Sequence, residues 1–137
     1  MKVLILWGRI PSYLAGVCRT LVDVHQHQVR VIGLGDDSLG ASNAPLSSVV
    51  WEGLDLEEMS RAALANPALV VSLIEKFDPD VLVVSGWQFP GYRRIYHERS
   101  LREIPKILCS DNTRRGFWKQ WVGKFLLQPY LRSARYV

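Results

Sequence analysis

Apolar residues along the chain fall into short continuous runs separated by stretches with helical spacing. Lys2–Trp7 is one such run, the pattern of a strand buried on both faces. Gly8 to Ser12 breaks it, and Tyr13/Leu14, Val17/Cys18 and Leu21/Val22 then recur at helical intervals. A second strand, Gln28–Gly33, follows the His25-Gln26-His27 turn, so the opening reads as a βαβ unit with a right-handed crossover. A polar, glycine-containing loop occupies 35–48, and Val49-Val50-Trp51 reads as a weak strand. Asp55 and Glu58 form a D-x-x-E pattern that predicts a helix start. Asn66-Pro67 predicts another, with Asn as the cap and Pro at the first helical position, and Leu69/Val70, Leu73/Ile74 and Phe77 form its apolar face. Asp78-Pro79-Asp80 turns the chain into Val81–Ser85, the clearest strand in the sequence. Tyr92 to Leu101 reads as a short basic helix, and Lys106–Cys109 as a fifth strand. An amphipathic helix is expected over 114–128, and a further strand begins at Ala134–Val137.

Strands alternating with helices predict an open, doubly wound, mostly parallel α/β sheet of the Rossmann type. At 137 residues the chain is one domain with room for a real core. The unfinished strand at Tyr136-Val137 gives that domain an incomplete carboxyl-terminal end. Ligands of such sheets sit at the carboxyl ends of the strands, near the point where strand order reverses. The loops that follow the first, fourth and fifth strands, Gly8–Ser12, Ser85–Gly91 and Ser110–Arg115, are therefore the candidate site.

Composition narrows the class little: 48% hydrophobic and 22% charged residues are ordinary for a soluble globular chain. The amino-terminal apolar run is too short for a signal peptide, and none approaches the ~20 residues of a membrane span. Cys18 and Cys109 lack metal or redox spacing and read as reduced core thiols, which places the protein in the cytoplasm. His25, His27 and His97 are not spaced as metal ligands, so no metal is expected. Charge changes the picture more. Residues 1–90 hold 6 Lys/Arg and 10 Asp/Glu, whereas 91–137 hold 11 and 3. The basic carboxyl-terminal third suggests an anionic partner such as phosphate groups or an acidic membrane surface. No nucleic-acid recognition motif accompanies it.

Several residues have two readings. Gly8, directly after the first strand, either lets backbone amides approach a phosphate, with Arg9 adding charge, or only permits a tight turn. Ser85, Gly86 and Trp87 carry a hydroxyl and an aromatic suited to a sugar ring; Trp87 and Phe89 alternatively seal the loop onto the core. Asp111 and Asn112 beside Arg114 and Arg115 suit a sugar hydroxyl and a phosphate together, or capping with solvated arginines. Phe117, Trp118, Trp121, Val122, Phe125 and Leu126 spread over about half of the last helix, flanked by basic residues. Core packing explains most of them, and an anionic membrane surface would explain the remainder. No G-x-G-x-x-G fingerprint or P-loop is present. No residue is placed well enough to name a catalytic base.

The opening MKVLILWGRIPSYLAGVCRTLVDVHQHQVRVIG, the segment FDPDVLVVSGWQFPGY and the segment SDNTRRGFWKQWVGKFLLQPYLR, in that order, resemble family 4 glycosyltransferases of GT-B architecture. The resemblance implies the amino-terminal, acceptor-side domain of a retaining enzyme that moves a sugar from a nucleotide sugar to a glycan or lipid-linked acceptor. It implies that Gly8 and Arg9 face the donor phosphates, and that Ser85, Gly86, Trp87, Asp111, Asn112, Arg114 and Arg115 line the acceptor side. A nucleotide sugar is then the co-substrate and no other cofactor is needed. The chain departs from the family by lacking a histidine in the fourth-strand loop and by lacking the donor-binding domain altogether. The expectation is a domain inactive alone that needs a donor-binding partner in cis or trans, and that sits in the cytoplasm or at the inner membrane face. A stand-alone nucleotide or small-molecule binding module is the alternative.

Overall fold

The computed structural model describes residues 1–34, 48–85 and 89–109. Over these residues the chain builds a five-stranded, all-parallel sheet in the order β3-β2-β1-β4-β5, flanked by helices on both faces. This is the doubly wound, Rossmann-like architecture expected from the sequence. The strands are β1 (Lys2–Arg9), β2 (Gln28–Leu34), β3 (Asp55–Met59), β4 (Val81–Ser85) and β5 (Lys106–Cys109). The helices are α1 (Tyr13–Arg19), continued by one π-helical stretch over Thr20–Val24, then α2 (Ser48–Trp51), α3 (Arg61–Ala65), α4 (Pro67–Phe77) and α5 (Pro90–Ile95).

β1 is the central strand because it is apolar on both sides. Leu4 and Leu6 join a core with β4, α4 and α5, and Val3 and Ile5 join a second core with β2 and α1. α4 begins as its sequence dictates: Asn66 Oδ1 accepts from the amides of Ala68 and Leu69 at 3.1 and 3.3 Å, and Pro67 needs no donor. It ends at Asp78, which adopts a left-handed conformation at φ 54°.

Residues 48–59 overturn the expected order. Val49–Trp51, expected as a strand, lies in the short helix α2, and Asp55–Met59, expected to open a helix, is the strand β3. β3 lies at the end of the described sheet and is only half-buried, so it tolerates Asp55, Glu57 and Glu58 that a central strand would not. Its register on β2 is fixed by Arg30 Nε, which meets the Asp55 carboxylate at 2.8 Å directly opposite. The cap three residues before an amide is Ser60, whose hydroxyl accepts from Ala63 at 3.2 Å and opens α3. The expected helix over 92–101 divides in two. α5 starts earlier, with Pro90 in its first turn, and ends at Ile95; a 3₁₀ turn follows at Arg99–Leu101. The expected helix over 114–128 and the strand from Ala134 lie outside the described residues.

Lys106 is buried at the start of β5 and stays there because its ammonium donates to the carbonyls of Leu101 and Ile104. Burial lowers its pKa, opposed by the nearby Glu103. No helix among the described residues is long and apolar enough to cross a membrane.

Candidate functional site

Strand order reverses at β1. The chain leaves β1 toward β2 on one side, and it later reaches β4 on the other. The carboxyl ends of β1 and β4 therefore frame the crevice in which doubly wound sheets bind ligands. β1 runs past the expected break at Gly8 and ends at Arg9, with a bulge between Trp7 and Arg9 against β2. Gly8 sits in that bulge, buried, and its amide donates to Ser85 Oγ at 2.7 Å. The sequence places these two residues in separate loops, and the structure brings them together. With one lone pair taken by Gly8, the half-buried Ser85 hydroxyl keeps its proton and a second lone pair for another partner.

Arg9, next along the bulge, is exposed at the strand's end. Ile10 turns back and is buried over β2. That return is possible because position 33 is glycine: a Cβ there would stand 2.6 Å from the Trp7 carbonyl oxygen and 2.5 Å from Ile10 Cγ1. Gly33, which the sequence marks only as the end of the second strand, thus shapes the first loop.

Two more residues without a sequence signal belong to this edge. Tyr92 on α5 is fully buried and donates its hydroxyl to the Trp7 carbonyl at 3.0 Å, tying α5 to the end of β1. Burial raises its phenol pKa well above the ordinary value, so it remains a neutral donor. Arg61, exposed at the start of α3, places its guanidinium 5.7 Å from the centroid of the buried Phe89 ring. Phe89 itself packs edge-on against Tyr92 with centroids 5.2 Å apart, which fits the sealing role open to it in the sequence. Phe89 could have been assigned from its apolar character; Tyr92 and Arg61 depend on contacts across distant elements.

Cys109 ends β5 opposite Ser85. It is a free thiol, half-buried, and burial raises its pKa, so it stays protonated and poorly nucleophilic. Cys18 is on the buried face of α1, with its pKa raised to about 11 by desolvation. His25 and His27 lie at the opposite end of the sheet, their rings stacked with centroids 5.8 Å apart. Gly86, Trp87, Asp111, Asn112, Arg114 and Arg115 lie outside the described residues.

Away from this edge, a groove of about 520 Å³ runs between α4 and α5, bordered by Asn66, Val71, Glu75, Arg94 and Glu98. Its polar groups are engaged with one another: Ser100 donates to Glu75 at 2.6 Å and Arg94 pairs with Glu98 at 2.9 Å. No family model matches the chain, and no curated protein matches its sequence.

Proposed function

We propose that this chain is the acceptor-side domain of a retaining glycosyltransferase that moves a sugar from a nucleotide sugar to a glycan or lipid-linked acceptor. The observation that carries the reading is the meeting of Gly8 and Ser85 at the reversal point of a 3-2-1-4-5 parallel sheet. A half-buried hydroxyl with spare donor and acceptor capacity, an exposed arginine beside it and a neutral thiol opposite suit an uncharged polyol next to a phosphate. In this reading Arg9 faces the donor phosphates beside the Gly8 bulge, and Ser85 holds an acceptor hydroxyl. Gly86, Trp87, Asp111, Asn112, Arg114 and Arg115 complete the acceptor side, as the resemblance of the sequence implies. The nucleotide is carried by a second Rossmann-like domain, in the same polypeptide or a separate one, and the acceptor approaches from an anionic membrane surface.

The test is a transfer assay on the full chain, alone and with any Rossmann-like domain encoded beside it, using labelled UDP-, GDP- and TDP-sugars. The chain alone is expected to bind these donors weakly and transfer nothing; with the second domain, label should move to the acceptor with retained anomeric configuration. Micromolar nucleotide binding by the chain alone, with no transfer under either condition, would instead support a stand-alone nucleotide-binding module.

A further inference from the structure

The side of α1 that faces away from the sheet is apolar as well. Leu14, Ala15 and Cys18 are the buried residues of the helix and fall within about 100° of its circumference. Tyr13, Gly16, Val17 and Thr20 lie opposite them, and Val24 extends their line through the π-helical stretch. Tyr13 is 61% exposed, Val17 48% and Val24 70%. A helix lying on a sheet ordinarily turns charged side chains to water. This line carries none over the ~16 Å from Tyr13 to Val24.

Its polar groups are largely engaged. Thr20 donates its hydroxyl to the Gly16 carbonyl at 3.0 Å, so its one proton is already placed. Arg19, on one flank, is turned aside to the carbonyls of Val50 and Glu52 at 3.1 and 2.9 Å. Gly16 opens the middle of the line, with no atom within 4 Å of where a Cβ would stand. The exposed parts of Tyr13, Val17 and Val24 amount to on the order of 350 Å², as large as the main apolar patch of a typical monomer.

We infer that this face of α1 binds the same face of a second copy of the chain, the two helices antiparallel about a two-fold axis. The order of side chains fits its own reverse. With the axis level with the Cys18–Arg19 peptide, Tyr13 of one copy meets Val24 of the other, and Val17 meets Thr20. Gly16, beside each Val17–Thr20 contact, lets the backbones approach. An uncharged face also offers nothing to select a partner of opposite charge. The area sets the strength: ~350 Å² of apolar surface per copy is less than half of the ~800 Å² per partner in a standard interface. The dimer is therefore reversible, with a Kd on the order of 100 μM.

The experiment is sedimentation velocity on the full chain from about 10 to 500 μM. The wild type is expected to shift from monomer to dimer across that range. Gly16→Leu fills space that is open in the monomer, so its urea midpoint should not fall, yet it should weaken association by more than about 10-fold. Val17→Asp should do the same by placing a charge in the contact, whereas Leu69→Asp, at an exposed position on α4, should change nothing. Tyr13→Cys mixed with Val24→Cys should cross-link between copies under mild oxidation, which reports the register. Salt raised from about 0.05 to 0.5 M should leave the dimer as strong or stronger, since two chains of net charge +4 repel. The inference is overturned if the chain stays monomeric throughout, if Gly16→Leu and Val17→Asp associate as the wild type does, or if salt dissolves the dimer. It is overturned equally if the monomeric chain binds phosphatidylglycerol vesicles and Val17→Asp abolishes that binding, because the face would then belong to a membrane.

Discussion

Beneath α4 and α5, Leu4, Leu82, Val84, Ile74 and Tyr92 are sealed from solvent, and the layer continues without a gap to Leu101. Across the sheet, α1 covers β1 and β2, but Val81 and Val83 are half-buried and Ile107 on β5 is 39% exposed. The same strands thus carry a closed face and an open one. The closed face holds the fold together, because each large side chain buried there contributes about 1.5–3 kcal/mol. The open face is where Trp7 and Ser85 stand, at the ends of β1 and β4. Over the described residues the helices are unevenly distributed, with α4 and α5 sealing one face and α1 covering part of the other.

The sharpest way to break this contrast is to truncate one residue on each face. Leu82→Ala and Ile74→Ala should each cost about 2–5 kcal/mol in urea unfolding, while Ile107→Ala costs under about 1 kcal/mol. Equal losses on the two faces would remove the distinction. A smaller effect is expected from overfilling. Gly91→Ala drives a Cβ to 2.5 Å from the Leu64 carbonyl and 2.7 Å from Val70 Cγ2, and should cost about 1–3 kcal/mol. Gly33→Ala should cost a similar amount, by pushing Ile10 and the first loop outward. Tyr92→Phe, which only unties α5 from the Trp7 carbonyl, should cost about 1 kcal/mol by the same unfolding measurement.

The smallest effect is alkaline. Burial raises the Cys18 thiol from 9.0 to about 11 and the Tyr96 phenol to about 12, the latter with help from Cys109. Both groups lose protons more readily when unfolded, so their contribution is complete below about pH 9 and is lost as pH rises toward 11–12. The urea midpoint should therefore be flat from pH 7 to 9 and fall above it. Cys18→Ala should begin from lower stability and show a shallower fall. A midpoint that rises above pH 9 would contradict the buried, neutral assignment of these groups.

Much of the architecture was legible because it is written locally. Of the five described strands, β1, β4 and β5 rest on continuous apolar runs and β2 on one interrupted at Arg30, and Asn66-Pro67 is a self-contained start signal for α4. β3 was misread because an end strand half-exposed to water carries Asp55, Glu57 and Glu58, and Asp55 with Glu58 imitates a helix cap. Only Arg30, distant in sequence, decides the matter through its ion pair with Asp55. At the site, Gly8, Arg9 and Ser85 follow from their places at strand ends. Along α1, a repeating pair such as Tyr13/Leu14 shows that a helix has an apolar side without showing which member points inward. Leu14 is buried against β1 and β2 and Tyr13 is not, and that difference is set by which side of α1 lies on the sheet.

The Gly8–Ser85 contact joins residues 77 apart in the chain. At ribosomal rates of about 5–20 residues per second, β1 waits roughly 4–15 s for the strand that completes its second neighbour. During that interval β1 and β2 can pair, but the edge of β1 that will receive β4 is an apolar strand with unpaired amides. Such an edge is a target for chaperones and for the same edge on a neighbouring nascent chain. The crevice at the reversal point is therefore also a seam that stays open until β4 is made, and within the described sheet only the β4–β5 seam closes later.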